Sequence, residues 1–322
     1  MSARRLTNKM TPVQTVQTKR LTAIHRIRRA LKALYLALPL KQQIFSVLRR
    51  FWIPPERIRR YLLFRGIIQV DVGGHTFSLI NDAFDVETDI FWRGAMNGWE
   101  GTSLRLWARA SRDARVIVDV GANTGIYAFI GKAVRPDARV YAFEPIARIH
   151  RRLVENNALN GFDVVCRPEA VSNYDGRGSL FDLPADHVYT ATLNRDMHGG
   201  TLPSIETPVA VVRLSTFLES ENAVPDLIKI DVESHEPEVL EGLGVCLDRH
   251  TPSLLVEVWR DGEHGNLHMG ERIEAAVHGK GYVYYRVDES HGPVREEHIG
   301  GPGRGYWNYF ICTETVARNL GL

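Results

Sequence analysis

The chain has 322 residues, 44% apolar and 24% charged, which excludes disorder along most of its length and collagen-like or other repeat architectures. Its net charge of +2 averages two unlike parts: residues 1–60 hold 15 Lys/Arg and one acid, Glu56, whereas the remaining 262 hold 25 basic and 37 acidic residues. Cys166, Cys246 and Cys312 are an odd set without CxxC or Cys/His ligand spacing, which fits a reducing cytoplasm, and no apolar run of eighteen exists to span a membrane.

In chain order, the first element is an arm. Ile24, Ile27, Leu31, Leu34, Tyr35 and Leu38 recur every three or four positions, with Arg26, Arg29 and Lys32 opposite, which predicts an amphipathic helix. Ile44, Phe45, Val47, Leu48, Phe51 and Trp52 repeat the pattern until Pro54 and Pro55 stop it. Residues 1–60 therefore suit peripheral contact with an anionic membrane, or packing against the acidic body. An Arg-rich, acid-poor start also suits an organellar transit peptide. Nucleic acid is not expected as a partner, because no aromatic-interleaved RNA-binding signature follows. Nor does the start resemble a secretory signal, since the apolar stretch comes late and no small-residue cleavage site follows.

A hairpin is predicted over Ile67 to Ile80 around Gly73-Gly74, then helical pieces over 85–112. These make 61–112 a small β/helical cover ahead of a larger domain at 113–322. That domain opens with the apolar run Val116 to Val120 and a helix over Gly125 to Ala133. Val140 to Phe143 is the second strand, Ala147 to Leu159 a helix, and Asp163 to Val171 a third strand region. Leu227 to Val232 and Leu254 to Trp259 follow; Tyr282 to Val287 and Tyr306 to Cys312 close the series, joined by the glycine-rich loop 300–305. Strands alternating with helices predict a doubly wound, Rossmann-like, mostly parallel α/β sheet. Residues 173–213 read as a loop and β insertion, a substrate-lid candidate.

The segment Asp119-Val-Gly-Ala-Asn-Thr-Gly125 lies between a strand and a helix, where Gly121 and Gly125 allow a tight turn and close backbone approach. Its G-x-x-x-G spacing departs from the G-x-G-x-x-G of dinucleotide sites, so a nicotinamide-dependent oxidoreductase stands as the alternative. Asp119 suits a ligand bearing an amino group or cation. Glu144, at a strand end, can accept hydrogen bonds from a ribose diol.

DVGANTGIYA (119–128), FEP (143–145), PEAVS (168–172), IKIDVESHEPEVLEG (228–242) and LLVEV (254–258) together resemble the FkbM-type S-adenosylmethionine-dependent methyltransferases, in that family's order and over about 105–312. The resemblance implies a class I fold of seven strands with the last antiparallel. It implies cofactor contacts at Asp119, Gly121, Asn123 and Gly125, ribose binding by Glu144 and adenine-side contacts near Glu169 and Ala170. Asp231 falls where that fold sets cofactor and acceptor side by side. Two departures affect the acceptor side: Ser234-His235 replaces the glycine of D-V-E-G, and Leu214-Ser-Thr-Phe-Leu218 lacks the acid of L-D-x-L.

The expected function is O-methylation of a hydroxyl on a sugar or glycolipid, with S-adenosylmethionine as donor and a small-molecule or glycan as acceptor. A catalytically silent, membrane-docked scaffold is a second alternative. An alcohol acceptor must lose a proton during or after attack. Asp231, Glu233 and His235 share a strand-end segment whose alternation, if extended, puts all three on one side, and His235 or Asp231 is favoured as base. Glu257 ends the next strand and can face the same crevice. His264 and His268 have zinc-like i,i+4 spacing, but surrounding glycines oppose a helix and no third ligand is evident, so no metal is expected. His187, beside Tyr189, is read as an exposed insertion residue. Cytoplasmic placement, with the arm at the inner membrane face, is the expected location; no oligomeric state is implied.

Overall fold

The computed structural model describes residues 34–35, 38–182, 192–193, 205–260, 268–301 and 305–322. The first predicted arm helix lies almost wholly outside them, as do His187, Tyr189 and His264.

Two short helices come first, α1 (Lys41–Leu48) and α2 (Glu56–Arg59), then a hairpin of β1 (Arg65–Val72) and β2 (His75–Asp82), and helices α3 (Asp85–Arg93) and α4 (Gly101–Ser111). The next elements are β3 (Val116–Val120), α5 (Ile126–Val134), β4 (Arg139–Phe143), α6 (Ala147–Leu159), β5 (Val165–Arg167), β6 (Ala170–Ser172), β7 (Gly176–Asp182) and β8 (Ile205–Arg213). They are followed by α7 (Leu214–Ser220), β9 (Leu227–Ile230), α8 (Glu236–Leu243), α9 (Val245–His250), β10 (Ser253–Trp259), α10 (Met269–Val277), β11 (Tyr282–Asp288), β12 (Gly292–Glu296), β13 (Tyr306–Thr313) and α11 (Glu314–Leu320).

The main sheet runs β12-β11-β13-β10-β9-β3-β4-β5. From β10 to β5 neighbours are parallel; β13 runs antiparallel to both β10 and β11. The seven expected strands thus become eight among the described residues, because the connection from β11 to β13 folds back as β12 on the sheet edge. Gly292 and Pro293 give β12 little strand signal of its own. The third strand region also divides. Pro168, lacking an N–H, interrupts it, leaving β5 in the main sheet while β6 pairs with β8 in a three-stranded sheet with β7. The described part of the insertion is therefore ordered β structure.

β3 reads VIVDV and is buried throughout, as a parallel strand covered on both faces must be. Its residues alternate between two cores: Ile117 packs with β1, β2, α3, α4 and α5, whereas Val116, Val118 and Val120 pack with α7, α8, α9 and α10. The segment before β3 shares the first core. Trp107 is fully buried, its Nε1 donates to Tyr127 O at 2.9 Å, and its ring meets the Tyr127 ring edge-on. Backbone N–H groups of β2 are closed by side chains of α6 and its C-terminal cap, Ser78 N donating to Asn160 Oδ1 (2.7 Å) and Ile80 N to Asn156 Oδ1 (2.9 Å).

The three cysteines are unbridged, and burial pushes Cys166 and Cys246 up to about 11 and Cys312 to about 12. No helix of the described residues is long and apolar enough to cross a membrane.

Candidate active site

β3 has β4 on one side and β9 on the other, so successive connections leave the sheet in opposite directions there and open a crevice at the carboxyl ends of the strands. A cavity of about 440 Å³ occupies it. One end is walled by the loop after β3 and by Glu144, the other by Asp231, Glu233, Glu257 and the rings of Trp259 and Tyr306.

The loop is shaped by its own hydrogen bonds. Gly121 N and Ala122 N both donate to Phe143 O (3.0 and 2.8 Å), and Gly125 N returns to Ala122 O (2.9 Å). Gly121 has φ +78°, and a Cβ there would lie 1.8 Å from Asp231 O; at Gly125, φ +102°, it would lie 2.3 Å from the Phe129 ring. These glycines are needed first by the approach of the protein's own atoms. Gly121 lines the cavity; Gly125 stands behind it.

Asp119 also stands behind the wall, 1% exposed. Its Oδ2 accepts from Ala128 N at 2.9 Å, capping the first turn of α5, which has no cap from Gly125. Its Oδ1 is buried without a partner, and burial pushes its pKa up to about 6. Glu144 faces the cavity while both its oxygens accept backbone N–H groups, from Asn123 (3.0 Å) and Ile146 (2.9 Å). A carboxylate has about four acceptor sites, so two remain. Burial outweighs those donors and raises Glu144 to about 7. Asn123, at φ +50°, lines the wall with Oδ1 buried and unpartnered. Glu169, paired to Arg167 at 2.6 Å, and Ala170 complete this end.

β9 ends at Ile230, before Asp231, and the next residues are not extended: Glu233 and Ser234 have φ +55° and +75°. The expected alternation therefore does not operate. This left-handed pair is instead a tight turn into α8, and the turn brings Asp231, Glu233 and His235 to the cavity together. Ser234 occupies a conformation that favours glycine. His235 uses both ring nitrogens, Nε2 at 2.9 Å from Ser172 Oγ and Nδ1 at 3.5 Å from Glu238, and burial holds its pKa below the usual histidine range. Asp231, Glu236 and Glu257 bring carboxylate oxygens within 4.8 Å of one another.

Sequence reasoning gives no role to Lys229, Glu100 or the residues of α3. Lys229, 3% exposed, donates to Asp231 Oδ2 at 2.7 Å and stands 4.6 Å over the Tyr127 ring. Asp231, Asp119 and Glu100 together hold it charged against the cost of burial. A lysine inside the apolar run Leu-Ile-Lys-Ile is the available signal, since a central parallel strand buries both faces and a buried ammonium needs a partner. Glu100 accepts from Tyr127 OH at 2.6 Å and is raised by burial to about 7. At the N-terminus of α3, Glu87 accepts from Thr124 Oγ1 at 2.7 Å and, with Asp85 and Val86, lines the cavity.

The acids around the cavity make stability fall with pH. Asp119, Glu100, Glu144 and Glu236 rise to about 6, 7, 7 and 8, chiefly by burial, so the folded state keeps protons that the unfolded chain releases. A shift of two units opposes folding by up to about 3 kcal/mol once the group ionises. Between about pH 4.5 and 8 the ligand-free protein is expected to lose stability, although the lowered pKa of His235 acts in the other direction. Calorimetry should show a melting temperature several degrees lower at pH 8 than at pH 6; a flat or rising profile would contradict these burial effects.

Comparison with known proteins identifies the family. The family described as "Methyltransferase FkbM domain" matches residues 119–284. "Methyltransferase sdnD" of Sordaria araneosa is 26% identical over 196 residues, covering 52% of this chain and 73% of that protein. "Hexuronic acid methyltransferase AglP" of Haloferax volcanii is 30% identical over 155 residues, covering 47% of this chain and 59% of that protein. The solved FkbM methyltransferase of Methylobacillus flagellatus is similar at 17% identity and a TM-score of 0.37, over 62% of this chain and 44% of that one.

Proposed function

We propose that this chain, which belongs to the FkbM methyltransferase family, O-methylates a hydroxyl of a sugar or a sugar-bearing lipid. S-Adenosylmethionine is the methyl donor of the family, and when bound it supplies an electrophilic methyl group on a sulfonium. The residues present fit such a cation. Glu144, Asp231, Glu233 and Glu257 line the cavity against one lysine, and no arginine lines it among the described residues. The same wall opposes the pyrophosphate of a nicotinamide dinucleotide, which needs donors or cations.

The observation that carries the reading is the continuity of this cavity from Glu144 to Asp231. Glu144 has acceptor sites left for a ribose diol, and Asn123 Oδ1 lacks a partner beside it. Glu169 and Ala170 would meet the adenine side. At the opposite end Asp231 is the proton acceptor: it reaches the cavity, and the Lys229 ammonium at 2.7 Å holds it in place. His235, with both nitrogens engaged, orients the turn. Asp119 serves indirectly by anchoring α5. Carboxylates and the rings of Trp259 and Tyr306 suit the hydroxyls and C–H faces of a sugar. The likeness to a hexuronic acid methyltransferase supports a saccharide acceptor.

Calorimetric titration with S-adenosylhomocysteine and with NADH tests the cofactor; binding of NADH alone overturns the proposal, and binding of neither favours a silent scaffold. Incubation with methyl-labelled donor and fractionated cell extract is expected to place label in saccharide or lipid fractions, in base-stable ether linkage. Label confined to protein or nucleic acid would remove the sugar assignment.

A further inference from the structure

We propose that the surface formed by residues 38–67 docks the protein onto a membrane carrying anionic lipid. Of the eighteen large apolar side chains that stand exposed among the described residues, eleven lie between Leu34 and Ile67. Their arrangement is regular. Leu40, Ile44, Val47 and Phe51 follow one another at helical spacing along the outer side of α1, and Phe51 is 84% exposed. Trp52 and Ile53 continue the patch to Pro54, and Ile58 and Tyr61 extend it across α2. An apolar surface of this kind marks an interaction site.

The charges beside it choose the partner. Arg50, Arg57, Arg60 and Arg65 are exposed around the patch, and Glu56 is the one acid between residues 34 and 67. Residues 1–33 add nine Lys/Arg and no acid. Apolar and aromatic side chains that enter the headgroup boundary, flanked by cations that meet lipid phosphates, are the composition of a helix lying in the interface. A protein partner would have to supply an extended acidic and apolar face to match it; an anionic bilayer supplies both.

The surface is firmly held on its inner side. Phe45 packs between Phe64 and Trp92, and Lys41 Nζ donates to Leu63 O at 2.7 Å. Arg49 donates to Phe91 O, and Arg59 pairs with Asp89 at 2.7 Å with both side chains largely covered. Phe91 and Asp89 belong to α3, whose first residues line the cavity. Docking would therefore fix the orientation of the cavity relative to the bilayer.

The full-length protein should be sedimented with sucrose-loaded vesicles of phosphatidylcholine alone and of phosphatidylcholine with phosphatidylglycerol, at low and high salt. Partitioning is expected to be roughly tenfold or more stronger on the anionic vesicles and to fall as salt rises. The pairs Phe51→Ser/Trp52→Ser and Arg57→Glu/Arg60→Glu should each weaken it about tenfold, leaving melting temperature and S-adenosylhomocysteine binding unchanged. Brominated lipid should quench more fluorescence in the wild type than in Trp52→Phe. Equal binding to both vesicle types overturns the proposal. So does undiminished binding by both variant pairs, which would assign attachment to residues 1–33, or loss of self-association in those variants, which would assign the patch to a second copy.

Discussion

Substituting alanine for Gly121 is expected to lower the melting temperature by about 10 °C, from a loss of about 4 kcal/mol, or to prevent folding altogether. Two costs combine. At φ +78° an L-residue is strained by about 1–2 kcal/mol, and the added Cβ would lie 1.8 Å from Asp231 O and 2.8 Å from Asp231 C. Neither neighbour is a flexible side-chain tip. The backbone after β9 must move away from the backbone after β3, which overpacks or opens the junction at the centre of the sheet. Gly161→Ala separates the two costs, since Gly161 has φ +62° and a Cβ there would meet nothing within 4 Å. That variant should lose only about 1 kcal/mol. If both glycine variants melted within 2 °C of the wild type, the proposed close approach would be wrong.

This junction also shows how much is legible in the sequence. Apolar strands, glycine turns and helix periodicity are local properties, so the order of elements and the position of the loop after β3 can be read from short windows. The glycines read as room for a ligand, yet the atoms they avoid are Asp231 O, Phe129 and Leu153, two of which lie far along the chain. Sequence spacing cannot reveal such an approach. Glu100 is a stronger case: its partners Tyr127 and Tyr306 are 27 and 206 residues away, and locally it is only an acid before a helix. The turn at Glu233-Ser234 is hidden for another reason. The usual signal for positive φ is glycine, and this chain has serine there. Strand β12 is hidden by composition, since Gly-Pro-Val-Arg-Glu gains its pairing only because β11 already lies beside it.

The acid-rich wall and the lysine set in it bear on the chemistry in one measurable way. Asp231→Asn keeps the shape of the side chain but removes the charge that faces Lys229 and the cavity. It is expected to lower kcat about 10²- to 10³-fold, the usual range for loss of a positioned base. Lys229 keeps Asp119 and Glu100 as countercharges, so the variant should still fold and bind S-adenosylhomocysteine within about threefold of the wild type. A base and a merely structural carboxylate differ in how the variant responds to the acidity of the acceptor. If Asp231 takes the acceptor proton, a more acidic hydroxyl acceptor recovers part of the rate lost in Asp231→Asn. Lys229→Met should act differently. It leaves Asp231 without its ammonium and destabilises the protein by about 3–5 kcal/mol, as removing one partner of a covered ion pair does. An Asp231→Asn enzyme with the full wild-type rate would transfer the role of base to Glu233 or Glu257, the remaining acids at that end of the cavity.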